Sequence, residues 1–356
     1  MRTKTELIRW ATKHIASHRK GAVSEARATA RAIAQAVEPA QAPASQGQAH
    51  TWSEYTQAAF TRAARAHAVS GTPVQYLACQ AQEGTWPWHC IPGLRIRPPI
   101  LCPRPETEAL VDLAHAALSK RAAGASQQPL HIVDAGCGSG AIGIALALLL
   151  PQLHVLSIDV HPAAVKWTRT NAGRAGVQDR VLAAHLPVHL LDSTTCAPLC
   201  APWSAWQGKF DAIVSNPPYI PAREHDGLPS TVRLHEHPLA LAAGPDGLAV
   251  IRMLLSVARD MLLPGGSLLM ETDSSHPSVL AAAASTAGQL HPDVPQAIQA
   301  RDVHAATGLP APETCAWWPA VDMGRTAADV AWPSGLALAG AWSDGQHDRF
   351  VQCVRA

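Results

Sequence analysis

The chain has 356 residues, of which 47% are hydrophobic and 15% are charged. That apolar content is enough to bury a core, which excludes a wholly disordered chain. The formal net charge of +1 at pH 7 argues against a surface built mainly to bind nucleic-acid phosphates, although it leaves room for a local basic patch. No stretch approaches the roughly 18 apolar residues of a transmembrane helix, so no membrane span is expected.

The eight cysteines are sparse and form neither a disulfide framework nor paired zinc knuckles. Cys196 and Cys200 are four residues apart, but no second Cys/His pair follows at zinc-finger spacing. We therefore expect reduced, intracellular cysteines and no metal site.

Helical patterns fill the chain up to about residue 70. One apolar face repeats at helical spacing through Leu7, Trp10, Ala11, His14 and Ile15. Further helices are predicted over 24–37 and 51–68, separated by an Ala/Gln/Pro-rich segment, 38–50, that is typical of a flexible loop. The basic, acid-poor start is typical of a mitochondrial transit peptide and also of the first helix of the domain, and the two interpretations are compatible.

The next segment, 71–99, is rich in Pro, Gly and Trp and predicts turns and a short hairpin or linker. From Leu101 the pattern changes to alternating strands and helices. Strands are predicted at 130–136, 153–160, 209–216 and 265–272, with a helix over 140–150. This alternation indicates a parallel sheet covered by helices on both faces. Near the end, 335–342 and 348–356 predict a closing antiparallel pair.

A glycine-rich turn, VDAGCGSG, joins the first of these strands to its helix at 133–140. Glycines at such a turn let the backbone approach a ligand closely, and the helix that follows offers unpaired N–H groups. Asp134 precedes the first glycine by two residues, and Asp159 ends the next strand. A carboxylate at that second position can accept both ribose hydroxyls of an adenosine-containing ligand.

The tetrapeptide Asn216-Pro217-Pro218-Tyr219 follows the strand FDAIV, where open α/β sheets bind ligands. A planar NH2 group is a poor nucleophile because its lone pair is delocalised. The side-chain carbonyl of Asn216 and the backbone carbonyl of Pro217 can accept its two hydrogens and orient it, and the ring of Tyr219 can cover it. This chemistry indicates N-methylation, but it does not distinguish an amide from the amino group of adenine or cytosine.

The G-x-G-x-G spacing of the turn resembles motif I of class I S-adenosylmethionine methyltransferases. Several other blocks resemble the HemK/PrmC family of release factor glutamine methyltransferases. They are, in family order, GTPVQYL (71–77), ILCPRPETEALV (100–111), HEHPLALAAGPDGL (235–248), LLPGGSLLMET (262–272) and DRFV (348–351). The resemblance covers nearly the whole chain.

The resemblance implies an α/β fold. A small N-terminal helical bundle for substrate docking (1–72) would be joined by a hairpin linker (73–100) to a class I methyltransferase domain with a Rossmann-like, mostly parallel sheet (101–356). It also implies methyl transfer from S-adenosylmethionine to the side-chain nitrogen of the glutamine in the Gly-Gly-Gln loop of a peptide chain release factor. Variant motifs near the C-terminus are similar to those of mitochondrial family members. Together with the basic start, they predict a mitochondrial location, with the cytoplasm as the alternative.

By the same resemblance, one group of residues holds the cofactor: Asp134, Gly136, Cys137, Gly138, Ser139, Gly140, Asp159, Ser193 and Asn216. The substrate glutamine is held by Asn216, Pro217, Pro218 and Tyr219, of which Asn216, Pro217 and Tyr219 are the catalytic residues. For Arg104 and Glu106, within PRPETE, a structural role near the cofactor pocket is favoured over direct contact with the cofactor.

Two other functions stay open at this point. One is a nucleic-acid adenine-N6 methyltransferase, and the other is a binding protein that has lost catalysis through its insertions at 193–209 and 290–335. Neither insertion carries a functional motif.

Overall fold

The computed structural model describes residues 3–19, 23–37, 52–80, 84–124, 128–203, 208–287, 301–302, 332–343 and 348–355. The predicted loop at 38–50 and most of the insertion at 290–335 lie outside these ranges. The chain divides into two compact units. The first comprises Met1–Trp86, Arg95–Cys102 and Gly227–His237, and the second comprises Pro87–Leu94, Pro103–Asp226 and Pro238–Ala356.

The described helices, in chain order, are α1 (Lys4–His18), α2 (Val23–Val37), α3 (Glu54–Ser70), α4 (Val74–Gln80), α5 (Glu106–Gly124), α6 (Ala141–Leu149), α7 (Pro162–Ala175), α8 (Ser193–Cys200), α9 (Ser230–Arg233), α10 (Ala249–Met261) and α11 (His276–Thr286). The strands are β1 (Trp86–Trp88), β2 (Ile91–Leu94), β3 (Leu130–Ala135), β4 (Leu153–Asp159), β5 (Val181–His185), β6 (Phe210–Ser215), β7 (Leu262–Glu271), β8 (Arg301–Asp302), β9 (Leu336–Ser343) and β10 (Asp348–Arg355). Within these ranges, no helix is both long and apolar enough to cross a bilayer.

The first unit is helical, and α1 belongs to its core. Thr3 and Glu6 form a capping box that starts α1, because each side chain accepts a hydrogen bond from the other residue's backbone N–H. The apolar face predicted from the sequence packs inward, with Leu7, Ala11 and Ile15 buried in one cluster with residues of α2 and α3. The basic start therefore forms a helix of this unit. Cleavage within α1 would remove side chains from this core.

The segment predicted as turns and a hairpin holds one more helix than expected. Gly71 ends α3 with φ +71°, and α4 begins three residues later. The predicted hairpin is then formed by β1 and β2. A helix of seven residues is too short to show a clear apolar period, which is why the pattern did not reveal α4.

The second unit is built on an eight-stranded sheet of order β5-β4-β3-β6-β7-β10-β9-β8. The five strands from β5 to β7 run parallel, which confirms the predicted parallel sheet, although β5 itself was not predicted from the sequence. The closing pair is also confirmed, since β10 lies antiparallel to both β7 and β9. Helices α8, α10 and α11 share one buried cluster with the sheet, so the insertion at 193–209 supplies a core helix. Burial raises the pKa of both Cys196 and Cys200 to about 12, as expected for thiols in a core.

The register of the parallel strands brings three motifs to one edge of the sheet. Ala135, the last residue of β3, is paired with Ile158 of β4, and Asp134 is paired with Val214 of β6. The glycine turn, Asp159 and the tetrapeptide that begins at Asn216 therefore all follow strand ends that lie side by side.

One buried histidine, stacked on a half-buried one, predicts an acid-sensitive core in this unit. His131 on β3 stacks on His154 of β4 with ring centroids 5.3 Å apart, and Trp203 lies against both rings. Burial, followed by repulsion from His154, lowers the pKa of His131 to about 4. In the unfolded chain this histidine takes up its proton near pH 6.5. The contribution of His131 to the free energy of unfolding should therefore be fully present above that pH. This contribution of His131 should fall by about 1 kcal/mol or more as the pH drops towards 4.

Urea unfolding at several pH values between 7.5 and 4.5 tests this expectation. His131→Phe should flatten the pH dependence in this window. An unchanged slope in the variant would show that the acid sensitivity lies elsewhere.

Candidate functional site

The glycine turn is tied by its backbone to the end of β4. The amides of Gly136 and Cys137 both donate to the carbonyl oxygen of Ile158, at 2.9 and 3.0 Å. The amide of Gly138 donates to Oδ2 of Asp159 at 2.9 Å. Gly136 has φ +75°, and a Cβ built there would meet no atom within 4 Å. The turn thus leaves open space beside a peptide backbone that is held in place.

Asp159 is placed to accept further hydrogen bonds. Its Oδ1 accepts from the amide of His161 at 2.8 Å, while Oδ2 is used by Gly138. Each carboxylate oxygen has a second lone pair, so two more donors can be accepted. Burial raises the pKa of Asp159, although the two backbone donors oppose that shift. The residue is only partly buried, which leaves the carboxylate accessible to a diol.

Helix α7 holds the turn from the other side. Nδ2 of Asn171 donates to the carbonyl of Ser139 at 2.8 Å, and the hydroxyl of Thr168 donates to the carbonyl of Gly138 at 3.3 Å. Gly140 has φ +84°, and a Cβ there would lie 2.9 Å from Cγ2 of Thr168. Glycine at this position therefore allows both the turn conformation and the close approach of α7.

Three residues predicted to bind the cofactor have side chains that point into the protein. Asp134, Cys137 and Ser139 are 0%, 6% and 3% exposed. The Oδ2 atom of Asp134 accepts from the amide of Gly143 at 3.1 Å, while burial raises its pKa to about 7. The other oxygen, Oδ1, is buried with no partner among the described residues. A cofactor above the turn would meet these three residues through their backbone.

The remaining predicted cofactor residue outside this turn and the tetrapeptide is Ser193. It is the exposed first residue of α8, which Asp192 caps by accepting from the amide of Thr195 at 2.7 Å. The role of Ser193 towards the cofactor stays a prediction.

Asn216 belongs to a hydrogen-bonded chain of three side chains. Its Nδ2 donates to Oγ1 of Thr107 at 2.9 Å, and the hydroxyl of Thr107 donates to Oε2 of Glu271 at 2.7 Å. Thr107 lies in the first turn of α5 and Glu271 ends β7. Sequence reasoning placed both residues inside family-like blocks, PRPETE and LLMET, but assigned neither of them to the site.

The loop after Asn216 is fastened to the segment that follows residue 240. The amide of Ile220 donates to the carbonyl of Leu241 and the amide of Ala243 donates to the carbonyl of Ile220, each at 2.9 Å. Gly247 has φ +79°, and a Cβ there would overlap the carbonyl oxygen of Tyr219. The family-like block HEHPLALAAGPDGL (235–248) therefore fixes the backbone of the tetrapeptide loop.

Tyr219 is half-buried, and its ring meets that of His276 edge-on at 6.4 Å. Burial, and then the nearby charge of Glu271, raise the pKa of its phenol, so the ring stays neutral. The charges of Arg104 and Glu106 also act on Glu271: Arg104 lowers the pKa of that carboxyl and Glu106 raises it. Arg104 and Glu106 thus lie near Glu271, on the side of the site that holds the tetrapeptide.

Gly247→Ala is expected to destabilise the protein by about 1–3 kcal/mol and to lower any activity that depends on the tetrapeptide loop. The new Cβ would have to displace the backbone of Tyr219 while adopting a positive φ. Thermal unfolding measures the first effect. Gly173→Ala is the matched control, since it lies within α7 with open space around it and should be neutral or stabilising. Equal Tm values for wild type and Gly247→Ala would contradict this account of the loop.

Comparison with known proteins agrees with this geometry. The family model described as "Methyltransferase small domain" matches residues 108–232, which include the glycine turn, Asp159 and the tetrapeptide. A protein of Deinococcus radiodurans named "Release factor glutamine methyltransferase" is 35% identical over 227 residues, covering 62% of this chain and 70% of that protein. The chain belongs to the release factor glutamine methyltransferase family.

Two further relatives carry the same family name. The human "MTRF1L release factor glutamine methyltransferase" is 38% identical over 210 residues, covering 58% of each chain. The Gloeobacter violaceus "Release factor glutamine methyltransferase" is 40% identical over 199 residues, covering 56% of this chain and 61% of that protein. The chain thus spans about three-fifths of the length of these two relatives.

Proposed function

We propose that this protein transfers a methyl group from S-adenosylmethionine to the side-chain amide nitrogen of the glutamine in the Gly-Gly-Gln loop of a peptide chain release factor. The observation that carries the proposal is the placement of a fixed Asn216 amide at the same sheet edge as the glycine turn and Asp159. Family membership supplies the class of reaction.

The cofactor would be held by the turn from Gly136 to Gly140 and by Asp159. The open side of Gly136 fits a ligand that lies closely against the main chain. The two free lone pairs on the carboxylate of Asp159 fit the two hydroxyls of a ribose. When bound, S-adenosylmethionine supplies an electrophilic methyl group on a positively charged sulfur.

The substrate amide needs orientation because its nitrogen lone pair is delocalised into the carbonyl. Oδ1 of Asn216 and the backbone carbonyl of Pro217 accept its two hydrogens and direct the lone pair towards the methyl group. As the new N–C bond forms, the S–CH3 bond breaks and positive charge develops on the nitrogen. The sulfur keeps the electron pair of the broken bond, so the second product would be S-adenosylhomocysteine. The two carbonyl acceptors stabilise the positive charge until one N–H proton passes to solvent water.

The two prolines and Tyr219 complete the pocket. Proline has no backbone N–H, so Pro217 and Pro218 bring no donor that would compete for the two acceptors. The neutral ring of Tyr219 can lie over the planar amide, and a cation–π attraction there is worth about 0.5–2 kcal/mol.

The partner in this proposal is a class I release factor, which the N-terminal helical unit would dock. The compartment that we propose is the mitochondrion, on the basis of the basic start and the variant motifs. A fluorescent fusion of the full chain should therefore colocalise with a mitochondrial dye, and an even cytoplasmic signal would contradict this part of the proposal.

The reaction is tested by incubating the protein with S-adenosylmethionine and candidate release factors, followed by peptide mapping. The Gly-Gly-Gln peptide should gain the mass of one methyl group, and a release factor with that glutamine replaced should gain none. Methylation of DNA or RNA that is unaffected by release factor would instead support the adenine-N6 alternative. Tight cofactor binding without turnover on any substrate would indicate a binding protein.

A further inference from the structure

The chain of hydrogen bonds behind Asn216 joins three separate elements. Thr107 begins α5, Asn216 follows β6 and Glu271 ends β7. Thr107 and Glu271 are 3% and 1% exposed, so water does not compete strongly for their polar atoms. The neighbouring pair Ser215 and Met270 in the β6–β7 register is what sets Asn216 beside Glu271.

The chemistry of the three groups fixes the direction of each hydrogen bond. An ionised carboxylate only accepts, a hydroxyl has one proton to give, and an amide NH2 only donates. The proton of Thr107 must therefore go to Glu271, and its oxygen can accept only from Nδ2 of Asn216. The amide then has a single orientation, in which Nδ2 is bound behind it and Oδ1 is free.

We propose that Thr107 and Glu271 are positioning residues that hold the Asn216 amide so that it presents Oδ1, and not its NH2 group, to the substrate glutamine. This inference rests on the proposed function. A flipped Asn216 would place a donor opposite the NH2 of the substrate, where two donors face each other without an acceptor. Asparagine alone does not choose between these orientations, because the two ends of its amide are almost the same size.

The protonation state of Glu271 should control this orientation. When Glu271 is protonated, it can donate to the oxygen of Thr107, and the hydroxyl proton of Thr107 is then released to donate to Oδ1 of Asn216. The amide flips in that arrangement, and the competent orientation is lost. Activity should therefore rise with pH as Glu271 ionises.

The surroundings of Glu271 place this transition in the neutral range. Burial raises its pKa to about 7, while the hydrogen bond from Thr107 opposes the shift. The charged or titratable groups that face it come from the segment before α5, from α5, from the loop after β6 and from β10: Arg104, Glu106, Tyr219 and Arg349.

The test compares Thr107→Val, which keeps the shape but removes the hydroxyl, with Thr107→Ser, which keeps the hydroxyl. Steady-state kinetics with a release factor and S-adenosylmethionine should show kcat about tenfold or more lower in Thr107→Val, with KM for S-adenosylmethionine nearly unchanged. Thr107→Ser should recover most of kcat. Thr170→Val is the matched control, because that hydroxyl donates within α7, to the carbonyl of Lys166.

A second variant tests the role of Glu271 without relying on Thr107. The rise of kcat with pH near neutrality in the wild type should disappear in Glu271→Gln, whose side chain does not titrate but can still accept through Oε1. Thermal unfolding and cofactor binding confirm that each variant is folded.

Three results would overturn the inference: wild-type kcat in Thr107→Val, equal losses in the valine and serine variants, or an unchanged pH profile in Glu271→Gln. The proposed function fails by a different result, namely no glutamine methylation by the wild type.

Discussion

Asn216→Ala is expected to lower kcat by about 100-fold or more while leaving the affinity for S-adenosylmethionine nearly unchanged. This is the scale for losing one preorganised polar group that acts on developing charge. The side chain provides one of two acceptors for the substrate nitrogen, and alanine leaves only the carbonyl of Pro217. Single-turnover methylation of a release factor measures the chemical step, and calorimetry measures Kd for the cofactor.

The same variant also tests the assignment of roles within the site. Since Nδ2 of Asn216 donates to the buried hydroxyl of Thr107, its loss should cost some stability as well. Kinetics are therefore measured at a temperature where both proteins are fully folded. A variant that turns over normally but binds the cofactor weakly would mean that Asn216 serves the cofactor and not the glutamine.

The sheet could be predicted because its strands are buried on both faces and read as apolar runs. Strands β3 and β6 are buried at every position, and each ends in a motif with turn residues. The glycine turn and the tetrapeptide directly follow two of these strands in the sequence, so both motifs could be predicted to lie at strand ends. Helix α8 lies in a segment without a readable period, and it contains Pro198, a residue that is disfavoured in helix interiors.

The direction of side chains within the glycine turn could not be predicted. A motif gives the order of residues, but in a turn with several positive φ values the side chains do not follow strand alternation. Cys137 therefore matched a cofactor motif while being buried behind it, whereas Asp134 is buried because it lies in β3, which is covered on both faces. Their part in the site is to hold the turn, through Thr168 and Gly143 respectively.

The hydrogen-bonded side chains behind Asn216, those of Thr107 and Glu271, could not be predicted from the sequence for a different reason. Thr107 is 109 positions before it in the chain, and Glu271 is 164 positions after Thr107. A contact between residues so far apart leaves no local pattern in the amino-acid sequence. It arises only when β7 takes its register beside β6 and α5 begins near the same sheet edge.

Asp159→Ala is expected to weaken S-adenosylmethionine binding by about 100-fold or more, since two hydrogen bonds to the carboxylate are lost. Hydrogen bonds to a charged acceptor are worth about 1.5–3 kcal/mol each, and about 1.4 kcal/mol corresponds to a tenfold change in Kd. Loss of the carboxylate removes the acceptor proposed for the ribose hydroxyls. It also frees the amide of Gly138, so the turn itself loosens. Both consequences act on Kd, which calorimetry measures directly.

Two variants separate the ribose contact from the loosening of the turn. Asp159→Asn keeps one oxygen, which can serve either the amide of Gly138 or a ribose hydroxyl, so its Kd should lie between those of wild type and Asp159→Ala. Asp179→Ala, at an exposed position in the turn after α7, is the matched control and should leave Kd unchanged. With saturating cofactor, kcat of Asp159→Ala should return towards the wild-type value, because Asn216 and its partners are intact. A low kcat that saturation does not restore would show that Asp159 contributes to the methyl transfer step itself.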